Sequence, residues 1–104
     1  MAITVTIGRN VGQSLDARPM DTSAWAVFRA EIVLAVRQAG LVVYFTGTGE
    51  GFSKEWGRED AFTVVAREPH FSDTRKRLYE ELARVARYYG QEAVAVTEGT
   101  TEFV

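Results

Sequence analysis

The sequence predicts an α+β fold of the ferredoxin-like kind, with elements in the order β–α–β–β–α–β. Three observations carry this. The chain opens on alternating apolar residues. Two later segments repeat apolar side chains at helical spacing, and a glycine stops each. Between those segments lie two strand-like apolar runs joined by a glycine-rich stretch. The expected result is a four- to five-stranded antiparallel sheet with both helices on one face, in a single domain spanning residues 1–104.

Ile3 to Ile7 alternate Ile, Thr, Val, Thr, Ile, a strand with one apolar face that Gly8 ends. Residues 9–20 read as a polar loop. Asp21 or Thr22 can cap the first helix, because their oxygens accept from orphan first-turn amides. Trp25, Phe28, Ile32, Val36 and Ala39 make one stripe of that helix, and Gly40 is its stop. Val27, Ala30 and Leu34 form a second apolar line, so this helix is either well buried or in contact with another subunit. "LVVYF" at 41–45 and "AFTVVAR" at 61–67 are dense in strand formers. Ser72 or Asp73 caps the second helix, whose stripe is Leu78, Leu82, Val85 and Tyr89. Lys76 with Glu80, Arg77 with Glu81 and Glu80 with Arg84 fit i,i+4 pairing on its outer face. Gly90 stops it. "AVAV" at 93–96 is a short strand, and "TEFV" at the end is a fifth, edge strand.

This order concentrates chemistry at one end. If the first strand runs up, a right-handed crossover makes the second run up and the third run down. The end of strand one ("GRN", 8–10), the hairpin segment 46–60, the exit of helix two ("YYGQE", 88–92) and the start of helix one with Trp25 then meet at the top. The opposite end receives plain turn residues.

The ligand-binding candidates are therefore Arg9, Asn10, Glu50, Trp56, Arg58, Tyr88 and Gln91. Arg9 offers a planar fork for carboxylate or phosphate, and Asn10 and Gln91 offer amides. Trp56 or Tyr88 offers a stacking surface, and one of Tyr88 and Tyr89 belongs to the core. "GTGEG" at 47–51 looks like a phosphate-binding turn, yet no helix follows it, so it reads as a hairpin whose glycines ease the backbone. Arg58, Glu59 and Asp60 read as solvated or cross-strand pairs. Glu50, Glu55 and Glu59 could supply an acid and a base, but nothing in the sequence marks a shifted carboxyl, so no catalytic residue is assigned.

Composition narrows the rest. The formal net charge is −2 and the basic residues of helix two alternate with glutamates, so no nucleic-acid or membrane partner is expected. No cysteine is present, and His70 is the single histidine, in a turn. A transition-metal site, a thiol nucleophile and a Ser-His-Asp triad are not expected, and no cofactor is. No stretch is long enough to span a membrane, the N-terminus lacks signal-peptide character, and cysteine-free composition fits a cytoplasmic location.

"TVTIGRNVG", "MDTSAWAVF", "FTVVA" and "ARYYGQEAVAVTEGTTEFV" resemble small uncharacterised proteins of actinobacterial phages and, distantly, small bacterial families of unknown function. The resemblance implies a phage or bacterial cytoplasmic origin and no activity. Gly8, Arg9, Asn10, Trp25, Phe28, Tyr89, Gly90 and Gln91 match the shared pattern. The expected function is a non-enzymatic homodimeric or higher oligomeric module holding a small polar or anionic molecule at the top. A nucleotide-sequestering phage accessory is one use of such a module. The alternatives are an adaptor or inhibitor of a host protein and a small α+β enzyme.

Overall fold

The computed structural model describes residues 2–11, 18–53, 57–68, 74–91 and 94–99. The elements are β1 (Ala2–Gly8), β2 (Asn10–Val11), β3 (Arg18–Pro19), α1 (Thr22–Gln38), β4 (Val42–Ser53), β5 (Gly57–Arg67), α2 (Thr74–Tyr88) and β6 (Ala95–Gly99). The main sheet has the order β4-β5-β1-β6 with every neighbouring pair antiparallel, and β2 and β3 form a small second sheet. This is the ferredoxin-like α+β arrangement. Residues 9–20, expected to be loop throughout, therefore contain a short antiparallel pair. The expected terminal strand 101–104, the caps Ser72 and Asp73, and His70 lie outside the described residues.

Alternation along the strands builds the core. Ile3, Val5 and Ile7 of β1 and Phe62, Val64 and Ala66 of β5 are buried, while Thr4, Thr6, Thr63 and Val65 stand on the opposite face, half-buried. On that second face the Thr6 and Thr63 hydroxyls lie 3.3 Å apart, within hydrogen-bonding distance. Trp25, Phe28, Ile32, Ala35 and Val36 of α1, its C-cap Ala39, Leu78, Leu82, Val85 and Ala86 of α2, and the flanking Met20 and Leu41 complete the core. Among the described residues no polar or charged side chain is buried. The aromatic chain Trp25–Phe28–Tyr89 runs from α1 to the end of α2, with Phe28 and Tyr89 stacked at 5.0 Å. Tyr89 is thus the core tyrosine and Tyr88 the exposed one.

Asp21 is the N-cap of α1, its Oδ1 accepting from the Ala24 amide at 2.7 Å. Both helices end in the same way. Gly40 and Gly90 have φ of 97° and 76°, the left-handed region that glycine enters without a Cβ penalty. The amide of Gly40 donates to Arg37 O and that of Leu41 to Val36 O. At the other helix, Gly90 donates to Arg87 O and Gln91 to Ala86 O. These are paired Schellman closures. The second one fixes where Gln91 stands.

The second apolar line of α1 is exposed. Val27 is 49% and Leu34 51% accessible, and Ala26, Val27, Ala30, Glu31 and Leu34 line an open groove of about 380 Å³. On α2, Arg84 pairs with Glu81 at i,i+3 (2.8 Å) in place of the expected Glu80. Arg75 instead leaves its helix to reach Glu68 and Glu98.

Candidate functional site

The strands β4 and β5 extend much further than the runs 41–45 and 61–67 suggest. Gly8, the last residue of β1, sits opposite Ala61, and Ala61 opposite Gly49. The pairs Glu50–Asp60, Gly51–Glu59, Phe52–Arg58 and Ser53–Gly57 then continue past the end of β1 as a two-stranded lip. Glycines at 47, 49 and 51 are therefore strand residues, not a phosphate-cradling loop.

Beneath this lip the segments expected to converge do so. Arg9 is held through both its backbone and its side chain. Its amide donates to Asp60 O and its carbonyl accepts from Met20 N, both at 2.9 Å. Its side chain donates from Nε to Met20 O at 2.7 Å and from a terminal nitrogen to Asp60 Oδ2 at 2.9 Å. The Asn10 amide donates to Glu59 Oε2 at 3.2 Å. The Gln91 amide nitrogen donates to Gly8 O at 3.0 Å and to Asn10 O at 2.7 Å. Strand end, lip and helix exit are thereby tied into one rim.

The rim gives two of the expected ligand contacts a structural role as well. Arg9 Nε donates to Met20 O and a terminal nitrogen to the Asp60 carboxylate, while Gln91 donates to Gly8 O and Asn10 O. Backbone acceptors at a strand end must find donors, and the nearest long polar side chains supply them. Arg58 is likewise engaged: it pairs with Glu50 across the lip, on the exposed surface. That hydrogen bond, with the neighbouring charge, raises the guanidinium pKa. Tyr88, 81% accessible, makes an edge contact with Tyr89 at 5.1 Å and keeps an open ring face. Trp56 and Glu55 lie outside the described residues.

Sequence reading named Glu59 as a paired or acid–base carboxylate but did not place it against Gly8. Its carboxylate lies directly over the α-carbon of Gly8, where a Cβ would fall 2.5 Å from its carboxyl carbon. The available clue was the strand-ending glycine itself, since close approach of another group is one reason for glycine there. Behind the rim, the guanidinium of Arg29 packs 5.5 Å from the Trp25 ring centre and 5.9 Å from that of Phe62, capping the core. Among the described residues no group of acidic or histidine side chains is placed to hold a metal ion. No described helix is long and apolar enough to cross a membrane.

Fold and rim together define a small ferredoxin-like α+β protein with an internally bonded polar rim at one sheet end. No family model and no curated protein matches the chain. Among solved structures it is similar to a phage SAM lyase in complex with S-methyl-5'-thioadenosine. The TM-score is 0.55 with 18% identity, covering 91% of this chain and 76% of that one. At that identity the likeness is one of fold.

Proposed function

We propose that the chain is a small-molecule-binding module, assembled from more than one copy, that takes a nucleoside-like ligand at the rim. The observation that carries this is the convergence of Gly8–Asn10, Glu59–Asp60 and Gln91, locked by hydrogen bonds before any ligand arrives. A preformed rim has little ordering entropy left to lose on binding. Its charges favour a neutral or cationic guest over the anionic one expected from Arg9. Arg9 and Arg58 are each paired to a carboxylate, and Glu59 adds a third carboxylate. Carboxylate lone pairs accept from sugar hydroxyls, and the open ring of Tyr88 suits a planar base. The fold shared with a protein solved around S-methyl-5'-thioadenosine supports this ligand class. The packing between helices and sheet is apolar among the described residues, so the rim is also where any chemistry would take place. A phage accessory role, removing such a molecule from the host, is the use this reading gives it.

Calorimetric titration with S-methyl-5'-thioadenosine, adenosine and S-adenosylmethionine tests the reading. Saturable binding should weaken about tenfold in Tyr88→Ala, the loss typical of one base–aromatic stack. Absence of binding by all three, or binding indifferent to both Tyr88→Ala and Asp60→Asn, would overturn it. Following S-adenosylmethionine over time in the same samples reports turnover.

A second reading, an adaptor for a host protein, is favoured by the exposed Val27 and Leu34 on α1. If Val27→Lys with Leu34→Lys leaves ligand binding intact but abolishes capture of a host protein, the adaptor reading prevails.

A further inference from the structure

We propose that the free edge of β4 is a self-association surface, pairing antiparallel with β4 of a second copy about a twofold axis at Gly47. This deepens the oligomeric part of the reading above and involves no ligand, so the two fail in different experiments.

The sheet order leaves one side of β4 without a strand partner among the described residues, over twelve residues from Val42 to Ser53. Such an edge is a row of unpaired donors and acceptors. Chains that must keep one apart from other chains blunt it with lysine, proline, unpaired charge or a bulge. β4 has no lysine and no proline, and its single charge, Glu50, is already held by Arg58 of the same hairpin. Its bulge lies between Val43 and Phe45, outside the central stretch Thr46–Thr48. Near its start, Val42, Tyr44 and Phe45 are 48%, 56% and 61% accessible. An edge with these properties matches another strand.

The pattern along β4 selects a second copy and a register. The Phe45 ring lies along its own strand, 3.0 Å from where a Cβ on Gly47 would stand. A Cβ on Gly49 would meet nothing within 4 Å. An axis at Gly47 sets Phe45 of one copy opposite Gly49 of the other, over that open space, and the same contact recurs by symmetry. Aromatic cover over an edge glycine is a stabilising cross-strand arrangement. The axis also opposes Thr46 to Thr48, a β-branched pair of the kind sheets favour. Glu50 comes opposite Tyr44, so like charges do not meet. Moving the axis to Thr46 would press Phe45 onto a Gly47 that the other ring already covers, which excludes that register.

Sedimentation velocity on the full chain tests this with three proteins, each checked for folding by circular dichroism. The unaltered chain should sediment as a dimer or a multiple of it. Thr46→Lys with Thr48→Lys places two cations opposite each other on both sides of the axis and should give monomer. Thr46→Lys with Thr48→Glu carries the same number of changes but sets opposite charges face to face, and should restore the dimer. A monomeric unaltered chain overturns the proposal. So does an assembly that survives the double lysine change, or one that both altered chains lose equally.

Discussion

The carboxylate of Glu59 fills the space that a side chain on Gly8 would need, and from there accepts the amide of Asn10. One residue's lack of a side chain thus seats another's charge at the end of β1. Gly8→Ala should therefore push Glu59 off its hydrogen bond and cost about 1 kcal/mol. Adding Glu59→Ala removes the clash, so the double variant should be less destabilised than the two single changes together. Urea denaturation of all four proteins reads this as a coupling energy. Strict additivity would mean that the two residues do not meet.

Gln91 ties the last helix to the first strand through two carbonyls. Gln91→Ala should cost about 1–3 kcal/mol, because Gly8 O and Asn10 O lose their donor in a half-buried setting. Gln91→Glu is the sharper probe. An ionised carboxylate has no hydrogen to donate, so this variant should be the less stable at neutral pH and recover as acid restores a donor. Denaturation midpoints compared at neutral and mildly acid pH check the sign.

Arg9→Lys keeps the charge but loses the fork that serves Met20 O and Asp60 together. A loss of about 1 kcal/mol is expected, from the hydrogen bond to the carbonyl. Asp60→Asn should cost less, since its pair with Arg9 is half in solvent and exposed ion pairs contribute about 0–1 kcal/mol. Equal effects would show that the ion pair, not the carbonyl contact, holds the segment.

The Tyr79 hydroxyl donates to Glu98 at 2.7 Å, which ties α2 to β6. That hydrogen bond, then burial, raises the phenol pKa above 10.0. The protonated form is the one the fold holds, so this contribution is complete below the unfolded pKa. It falls away as pH rises through the folded one. In Glu98→Gln the Tyr79 ring should titrate at lower pH, followed by its ring resonances in NMR. An unmoved titration would mean that the contact is not made in solution.

Much of this was legible in the sequence, and what was not has identifiable causes. The strand alternation, the helical stripe of Trp25, Phe28, Ile32 and Val36, and the stops at Gly40 and Gly90 are local patterns, and the fold follows from them. Meeting of Gly8–Asn10 with Gln91 follows from topology and handedness. The occupation of Arg9 and Gln91 by carbonyls does not, because a sequence does not say which backbone acceptors a strand end leaves over. Phe45 shows a second limit. Alternation from Leu41 and Val43 would carry it inward, but a bulge between Val43 and Phe45 shifts the phase, and Phe45 pairs with outward Val65. The apolar line Val27, Ala30 and Leu34 allowed both burial and exposure, and only the placement of α2 decides between them.

The bonds that close the rim join residues 49, 51, 81 and 83 positions apart. No part of the chain shorter than residues 8 to 91 contains all of their partners. During synthesis the rim stays open until Gln91 has left the ribosome and the last helix has docked. A closed rim is thus the mark of a molecule in which residues 8 and 91 have already met.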